Sequence, residues 1–161
     1  VKILVTGAAG FIGSHFTRKA LAAEHEVHGL DCLTYAGNLA NLSDCHDNPK
    51  FHFTKGDICN RDLAFALIER IAPDAVVNFA AESHVDRSIC DAHPFIRTNV
   101  TGAQVMLDAV RRHAPRARFL QVGTDEVYGS ADEGVPFRRL HTRQRTGLRY
   151  TQGHRAGQAE R

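Results

Sequence analysis

Residues 2–13 read Lys2-Ile3-Leu4-Val5-Thr6-Gly7-Ala8-Ala9-Gly10-Phe11-Ile12-Gly13. The run Lys2-Ile3-Leu4-Val5 is short, β-branched and closed by glycines, which predicts a buried parallel strand. Ile12, Phe16 and Ala20 recur at i, i+4 and i+8 and predict one face of a helix that begins just after Gly10. Strand, glycine turn and helix make the first half of a βαβ unit. Gly7, Gly10 and Gly13 follow a G-x-x-G-x-x-G spacing at the point where strand gives way to helix. A residue without Cβ there lets backbone approach a pyrophosphate, and another packs helix against strand. The helix N-terminus offers its unpaired N–H groups to the phosphates.

Outward from this stretch the chain keeps alternating. Glu26–Leu30 reads as a second strand and Phe51–Thr54 as a third. Asn60 is a plausible N-cap for a helix with Leu63, Leu67 and Ile71 on one face, stopped by Pro73. Ala75–Phe79 is the fourth strand. After Pro94 a long helix is expected to bury Ile96, Val100, Ala103, Leu107 and Val110, and Phe119–Val122 is a fifth strand. Strands alternating with helices predict an α/β fold, a doubly wound parallel sheet.

Of the 161 residues, 43% are hydrophobic and 24% charged, and no apolar run is long enough to span a bilayer, which excludes a membrane span and wholesale disorder. The formal net charge of +2 hides an asymmetry. Residues 1–137 carry 13 basic and 17 acidic side chains, net −4, and residues 138–161 carry 7 basic and 1 acidic, net +6. The basic segment has no Val, Ile, Phe or Met and cannot bury a face. It reads as a solvated tail, or as one that touches nucleic acid or headgroups, and neither a nucleic-acid nor a membrane partner is expected. Cys32, Cys45, Cys59 and Cys90 form no C-x-x-C pair and have no His at zinc-finger spacing, so no metal site and no redox motif is expected. The N-terminus lacks the pattern of a signal peptide, and a cytoplasmic location is the expectation.

Asp31 stands 18 residues after Gly13 at the end of the second strand. A carboxylate there would accept hydrogen bonds from adenosine ribose hydroxyls and repel a 2′-phosphate, which favours NAD over NADP. Cys32 beside it offers no positive charge to reverse that preference. Asp57-Ile58 follows the third strand and can meet an adenine ring, though Asp57 can equally be a turn residue. Phe79-Ala80-Ala81-Glu82-Ser83 lies at the C-terminal end of the fourth strand, where open parallel sheets bind ligands. Ser83 could bond cofactor or substrate, or cap a helix. Thr124-Asp125-Glu126 puts a hydroxyl and two carboxylates after the fifth strand, where they can act as acid and base or form a solvated loop.

Four segments together closely resemble the dTDP-glucose 4,6-dehydratase family of extended short-chain dehydrogenases/reductases. They are Thr6–Gly13, Asp31-Cys32-Leu33-Thr34-Tyr35-Ala36-Gly37-Asn38, Ala80-Ala81-Glu82-Ser83-His84-Val85-Asp86-Arg87-Ser88-Ile89 and Thr124-Asp125-Glu126-Val127-Tyr128-Gly129. The likeness runs to about residue 137. It implies a Rossmann fold with NAD as cofactor and dTDP-glucose as substrate. The cycle it implies is oxidation at C4, loss of water across C5 and C6, and return of hydride to C6. In that scheme Glu126 removes the C5 proton, Asp125 protonates the departing C6 hydroxyl and Thr124 bonds the C4 oxygen. The cofactor residues it implies are Gly7, Gly10, Phe11, Ile12, Gly13, Asp31, Cys32, Leu33, Thr34, Asp57, Ile58, Phe79, Ala80, Ala81, Glu82, Ser83 and Thr98. A homodimer formed through the helix around Ile96–Val110 is also implied.

The chain departs from the family where a Tyr-x-x-x-Lys pair belongs. It has no lysine after Lys55, and Tyr150-Thr151-Gln152-Gly153-His154 places His at the lysine position. Residues 138–161 are therefore expected to be a fragment's end or an out-of-frame reading, and this chain is expected to lack turnover and to bind NAD weakly or not at all. The alternatives are a related sugar-nucleotide epimerase or decarboxylase and, from another class, a non-catalytic NAD-binding module.

Overall fold

The computed structural model describes residues 1–124, of which Val1–Val122 form one compact unit. Five strands, β1 (Lys2–Thr6), β2 (Glu26–Asp31), β3 (Phe51–Lys55), β4 (Ala75–Asn78) and β5 (Arg118–Gln121), pair in the order β3-β2-β1-β4-β5, and every neighbouring pair is parallel. The helices are α1 (Phe11–Ala22), α2 (Arg61–Ile71), α3 (Val85–Cys90), the single turn α4 (His93–Phe95) and α5 (Ala103–His113). Alternation along β1 divides the core in two. Ile3 and Val5 pack with Val27, Val77, Ala20 and Leu21 under α1 and with Leu42 and Cys45 of a 3₁₀ segment. Leu4 packs with Leu30, Val76, Leu67, Ile68 and Met106 under α2 and α5. Both faces of the sheet carry helices, which is the doubly wound Rossmann arrangement expected from the alternation, although Leu120 of the edge strand β5 is left 56% exposed. Each strand is placed within a residue or two of its expected bounds, and Asn60 caps α2 by accepting from Leu63 N–H at 3.1 Å.

Two helix faces differ from expectation. In α1 the buried residues are Gly13, Ser14, Thr17, Ala20 and Leu21, while Ile12 is 62% exposed. The close approach of Gly13 to the β1 loop sets the rotation. A Cβ on Gly13 would lie 2.0 Å from the Gly7 carbonyl oxygen, so position 13 must face the sheet, and position 12, about 100° away, turns outward. The second difference follows Pro94, where the helix is not uniform. Ile96–Gly102 winds as a π-helix between α4 and α5. Each π turn takes an extra residue, so the apolar stripe slips in phase. The core receives Phe95, Gly102, Ala103, Val105, Met106, Ala109 and Val110, and Ile96 is left 58% exposed.

The strand order reverses between β1 and β4. Loops leaving the C-terminal ends of these strands diverge there and open a crevice. No helix among the described residues is long and apolar enough to cross a membrane.

Candidate dinucleotide cleft

The crevice is built first by the loop after β1. Gly7 holds φ +67°, and a Cβ on it would come within 2.7 Å of the Ala80 nitrogen, so the β1 and β4 loops can touch only through glycine. Gly7 N–H donates to Leu30 O at 2.8 Å and Gly10 N–H to Gly7 O at 3.2 Å, which curls the loop back onto β2. A Cβ on Gly10 would meet only Gly7 O at 3.3 Å, so this glycine faces open space. Gly10 is also the N-cap of α1, with no side-chain capping bond and no acidic residue in the first turn. The N–H groups of Phe11, Ile12 and Gly13 therefore have no helical or capping acceptor, and they point the positive end of the helix dipole into the crevice.

Asp31 forms the second wall. It is buried, and its carboxylate accepts from Ala9 N–H at 2.9 Å and from Leu33 N–H at 2.8 Å. These two bonds fix the carboxylate beside the glycine loop and leave each oxygen a further lone pair. Leu33 is held at φ 57°, while Cys32 and Thr34 are exposed. Although the residue as a whole is exposed, partial burial of the Cys32 thiol, and then the Asp31 and Asp57 charges, push it up. Asn38 N–H and Asn41 Nδ2 both donate to Ala9 O, at 3.1 and 2.9 Å, which locks the same loop from its far side. Neither asparagine stands out in the sequence. The one available signal was that Asn38 closes the Asp31–Asn38 run.

The third wall is the end of β4. Phe79 N–H donates to Thr6 O at 3.1 Å, and the Phe79 ring tilts against Phe16 with centroids 5.4 Å apart. Beneath it Thr6 Oγ1 donates to Asn78 Oδ1, Asn78 Nδ2 donates to Gln121 Oε1 at 2.7 Å, and Ala80 N–H reaches Thr6 Oγ1 at 3.4 Å. This buried polar ladder ties the ends of β1, β4 and β5 and was missed by sequence reasoning. Ala80 and Ala81 are half-buried. Glu82 N–H donates to Asn99 Oδ1 at 2.8 Å and Asn99 Nδ2 returns a bond to Glu82 O at 2.9 Å, so the π-helical segment anchors this loop. Ser83 is exposed and does not cap α3, whose N-cap position is His84.

Asp57 lies beyond β3. Its Oδ1 accepts from Cys59 N–H at 2.8 Å, the turn arrangement, and its Oδ2 accepts from Arg97 at 2.6 Å. Burial pushes this carboxyl up, but the Cys59 and Arg97 donors outweigh it and hold it below its ordinary value. Burial, then the Asp57 charge, push the Cys59 thiol up to about 11. Ile58 is 4% exposed and belongs to the core under α5, and Thr98 is half-buried on the π turn. Beside the cleft, a cavity of about 590 Å³ is lined by Thr34, Tyr35, Glu82, Asp86, Arg87 and Phe95 among others. The Arg87 guanidinium sits 4.2 Å over the Tyr35 ring. Burial, then the Glu82 charge, push the Tyr35 phenol up.

Gly7, Gly10, Phe11, Ile12 and Gly13 are thus brought together with Asp31, Phe79, Ala80 and Ala81, while Asp57 and Ile58, held against the π-helical segment that carries Thr98, adjoin the Asp31 wall, since the Asp57 charge reaches Cys32. Thr124 follows β5. Asp125 and Glu126, together with Tyr150, His154 and the expected boundary at residue 137, lie outside the described residues.

A family model described as GDP-mannose 4,6 dehydratase matches residues 4–144. A dTDP-glucose 4,6-dehydratase of an Actinoplanes species is 48% identical over 141 residues, covering 83% of this chain and 43% of the relative. The low-salt glycan biosynthesis protein Agl12 of Haloferax volcanii is 52% identical over 133 residues, covering 82% and 42%. A crystal structure of a dTDP-glucose 4,6-dehydratase from Streptomyces venezuelae, with NAD and TYD bound, superposes with a TM-score of 0.77 at 48% identity, covering 83% of this chain and 42% of that one. The chain spans about two fifths of the length of the relatives it matches.

Proposed function

The chain belongs to the GDP-mannose 4,6 dehydratase family, and on that premise we propose that it supplies the dinucleotide-binding part of a dTDP-glucose 4,6-dehydratase with NAD as its cofactor. The observation that carries this reading is the uncapped N-terminus of α1 facing an open glycine, with the Asp31 carboxylate fixed beside it. These residues fit the group. Three orphan N–H groups and a helix dipole suit a pyrophosphate, and the free lone pairs of Asp31 suit ribose hydroxyls. Gly10, Phe11 and Ile12 would hold the phosphates, Asp31 to Thr34 the adenosine ribose, Asp57 and Thr98 the adenine end, and Phe79 to Ser83 the nicotinamide half. The cofactor supplies a hydride acceptor that is regenerated within one catalytic cycle.

The remaining roles belong to this chain's own side chains. Thr124 would hydrogen-bond the sugar C4 oxygen. Glu126 would take the C5 proton once C4 is a carbonyl, since the adjacent carbonyl acidifies it, and Asp125 would give a proton to the C6 hydroxyl as it leaves. A carboxylate pair divides such labour when its surroundings raise one pKa above the other. Ser83 would contact the sugar or the cofactor. The substrate in this reading is dTDP-glucose, in a cytoplasmic homodimer packed through the helix around Ile96–Val110. The exposed Ile96 supports that packing.

Saturation-transfer NMR, which detects weak ligands, tests the cofactor assignment. NAD⁺ should receive saturation at its adenosine ribose protons, NADP⁺ should not, and Asp31→Asn should abolish the difference. Lys55, in register with Asp31 on β3, is the cation that would have to favour a 2′-phosphate. Equal signals from NADP⁺, or none from either nucleotide, would refute the assignment.

A further inference from the structure

At the opposite end of the sheet, Glu26, His28 and His52 form a cluster that the dinucleotide cleft does not use. Glu26 and His28 are two residues apart on β2 and so share a face, and parallel pairing sets His52 of β3 in register with His28. The shared face is the one carrying Leu30, under α2 and α5. His28 Nε2 lies 2.8 Å from Glu26 Oε1, and the two imidazoles stack with centroids 4.6 Å apart at 30°. One ligand atom from each of the three residues lies within 4.8 Å of the others. Glu26 and His28 are half-buried and His52 is exposed, so the group is both held and reachable from solvent.

We propose that Glu26, His28 and His52 bind a divalent metal of borderline softness, specifically Zn²⁺. Two imidazoles and one carboxylate are a ligand set zinc accepts, with water in the fourth position. The hard ions Mg²⁺ and Ca²⁺ prefer all-oxygen cages. With bonds of about 2.1 Å, tetrahedral coordination needs ligand atoms about 3.4 Å apart, so the His28–Glu26 pair at 2.8 Å would open while any wider pair, at most 4.8 Å, would close, both by side-chain rotation. The opposing charge is Lys2, exposed and in register with Glu26 on β1. A bound ion would cross-link β2 to the edge strand β3. The spacing of His residues in the sequence gives no sign of this site, because 24 residues separate His28 from His52 and only the strand register joins them.

Calorimetric titration of the full 161-residue chain with ZnCl₂ tests the proposal. One site should dominate. His52→Ala should weaken it by at least about tenfold, Lys2→Ala should strengthen it, and His46→Ala, at an exposed histidine elsewhere, should leave it unchanged. Unchanged affinity in His52→Ala would overturn the assignment. In the unsubstituted protein, Zn²⁺ should shift the imidazole resonances of both His28 and His52, a readout independent of how the variants fold. Saturating zinc that leaves both resonances in place would also overturn it.

Discussion

Replacing Thr6 by Val and Asn78 by Ala, singly and together, asks whether the ladder across β1, β4 and β5 acts as one unit. Thr6 and Asn78 are in register, as are Asn78 and Gln121, at the C-terminal ends of their strands. Thr6→Val keeps the β-branched shape and removes the donor to Asn78 Oδ1. Asn78 is 1% exposed, so water cannot take the donor's place. An acceptor stranded in this way costs about 1–3 kcal/mol. Asn78→Ala removes the carboxamide, leaves Thr6 Oγ1 without its acceptor and opens a small void, for about 2–4 kcal/mol in total. Gln121 contributes less to that loss because it is only half-buried and can turn to solvent. In the double variant no hydroxyl faces a missing partner, so its cost should fall short of the summed single costs by at least about 1 kcal/mol. Urea unfolding of the four proteins at neutral pH, with m-values compared to check that the transitions are equivalent, measures the coupling. Additivity within about 0.3 kcal/mol would refute the claim that these groups form one network.

Gly13→Ala should lower stability by about 3 kcal/mol in the same assay, since its Cβ would lie 2.0 Å from the Gly7 carbonyl, a backbone atom that cannot step aside. Gly10→Ala should change stability by under about 1 kcal/mol and yet abolish the NAD⁺ saturation signal, because its Cβ would fill space left open for the ligand. Equal stability losses at the two positions would contradict the division of roles drawn here. Asp57 gives a pH test. Its folded pKa lies below the ordinary carboxylate value, so the stability it contributes is present above about pH 4 and is lost as pH falls through the folded value. The effect should be small, as the Arg97 partner is half exposed and solvent-screened. In Arg97→Ala the NMR titration midpoint of the Asp57 carboxyl should move up, and an unmoved midpoint would show that Arg97 does not hold it.

The strands were legible because short apolar runs closed by Gly, Pro or Asn have few other uses in a chain that alternates with helical periods. Helix orientation was less so. Apolar periodicity in α1 favoured Ile12, but the rotation of a helix answers to its closest contact, here a backbone-to-backbone approach at Gly13. A stripe of hydrophobic residues carries no record of which glycine must touch a carbonyl. The π-helical segment Ile96–Gly102 was invisible for a related reason. Its extra residue per turn lies between the buried Phe95 and Gly102, and local periodicity assumes a constant 3.6-residue turn.

The same logic separates the parts of the cleft that could be read from those that could not. Gly7, Gly10, Gly13 and Asp31 stand where the strand-to-helix context and the spacing put them, around the turn from β1 to α1 and at the end of β2, because backbone chemistry demands those residue types at fixed points of a βαβ unit. Asn38, Asn41, Asn99 and the Thr6–Asn78–Gln121 ladder act through contacts between segments 17 to 74 residues apart, and any of them could have been an ordinary loop or strand residue. The Glu26–His28–His52 group lies at the far limit of this problem. Each residue alone is unremarkable on its strand, and it is the register of β2 against β3, set by the hydrophobic faces of Val27 and Leu30 and not by the histidines, that brings the three together. A one-residue slip of β3 would turn His52 to the opposite face. The pairing therefore makes the metal-binding proposal a direct consequence of core packing, and a zinc titration tests the register as much as it tests the site.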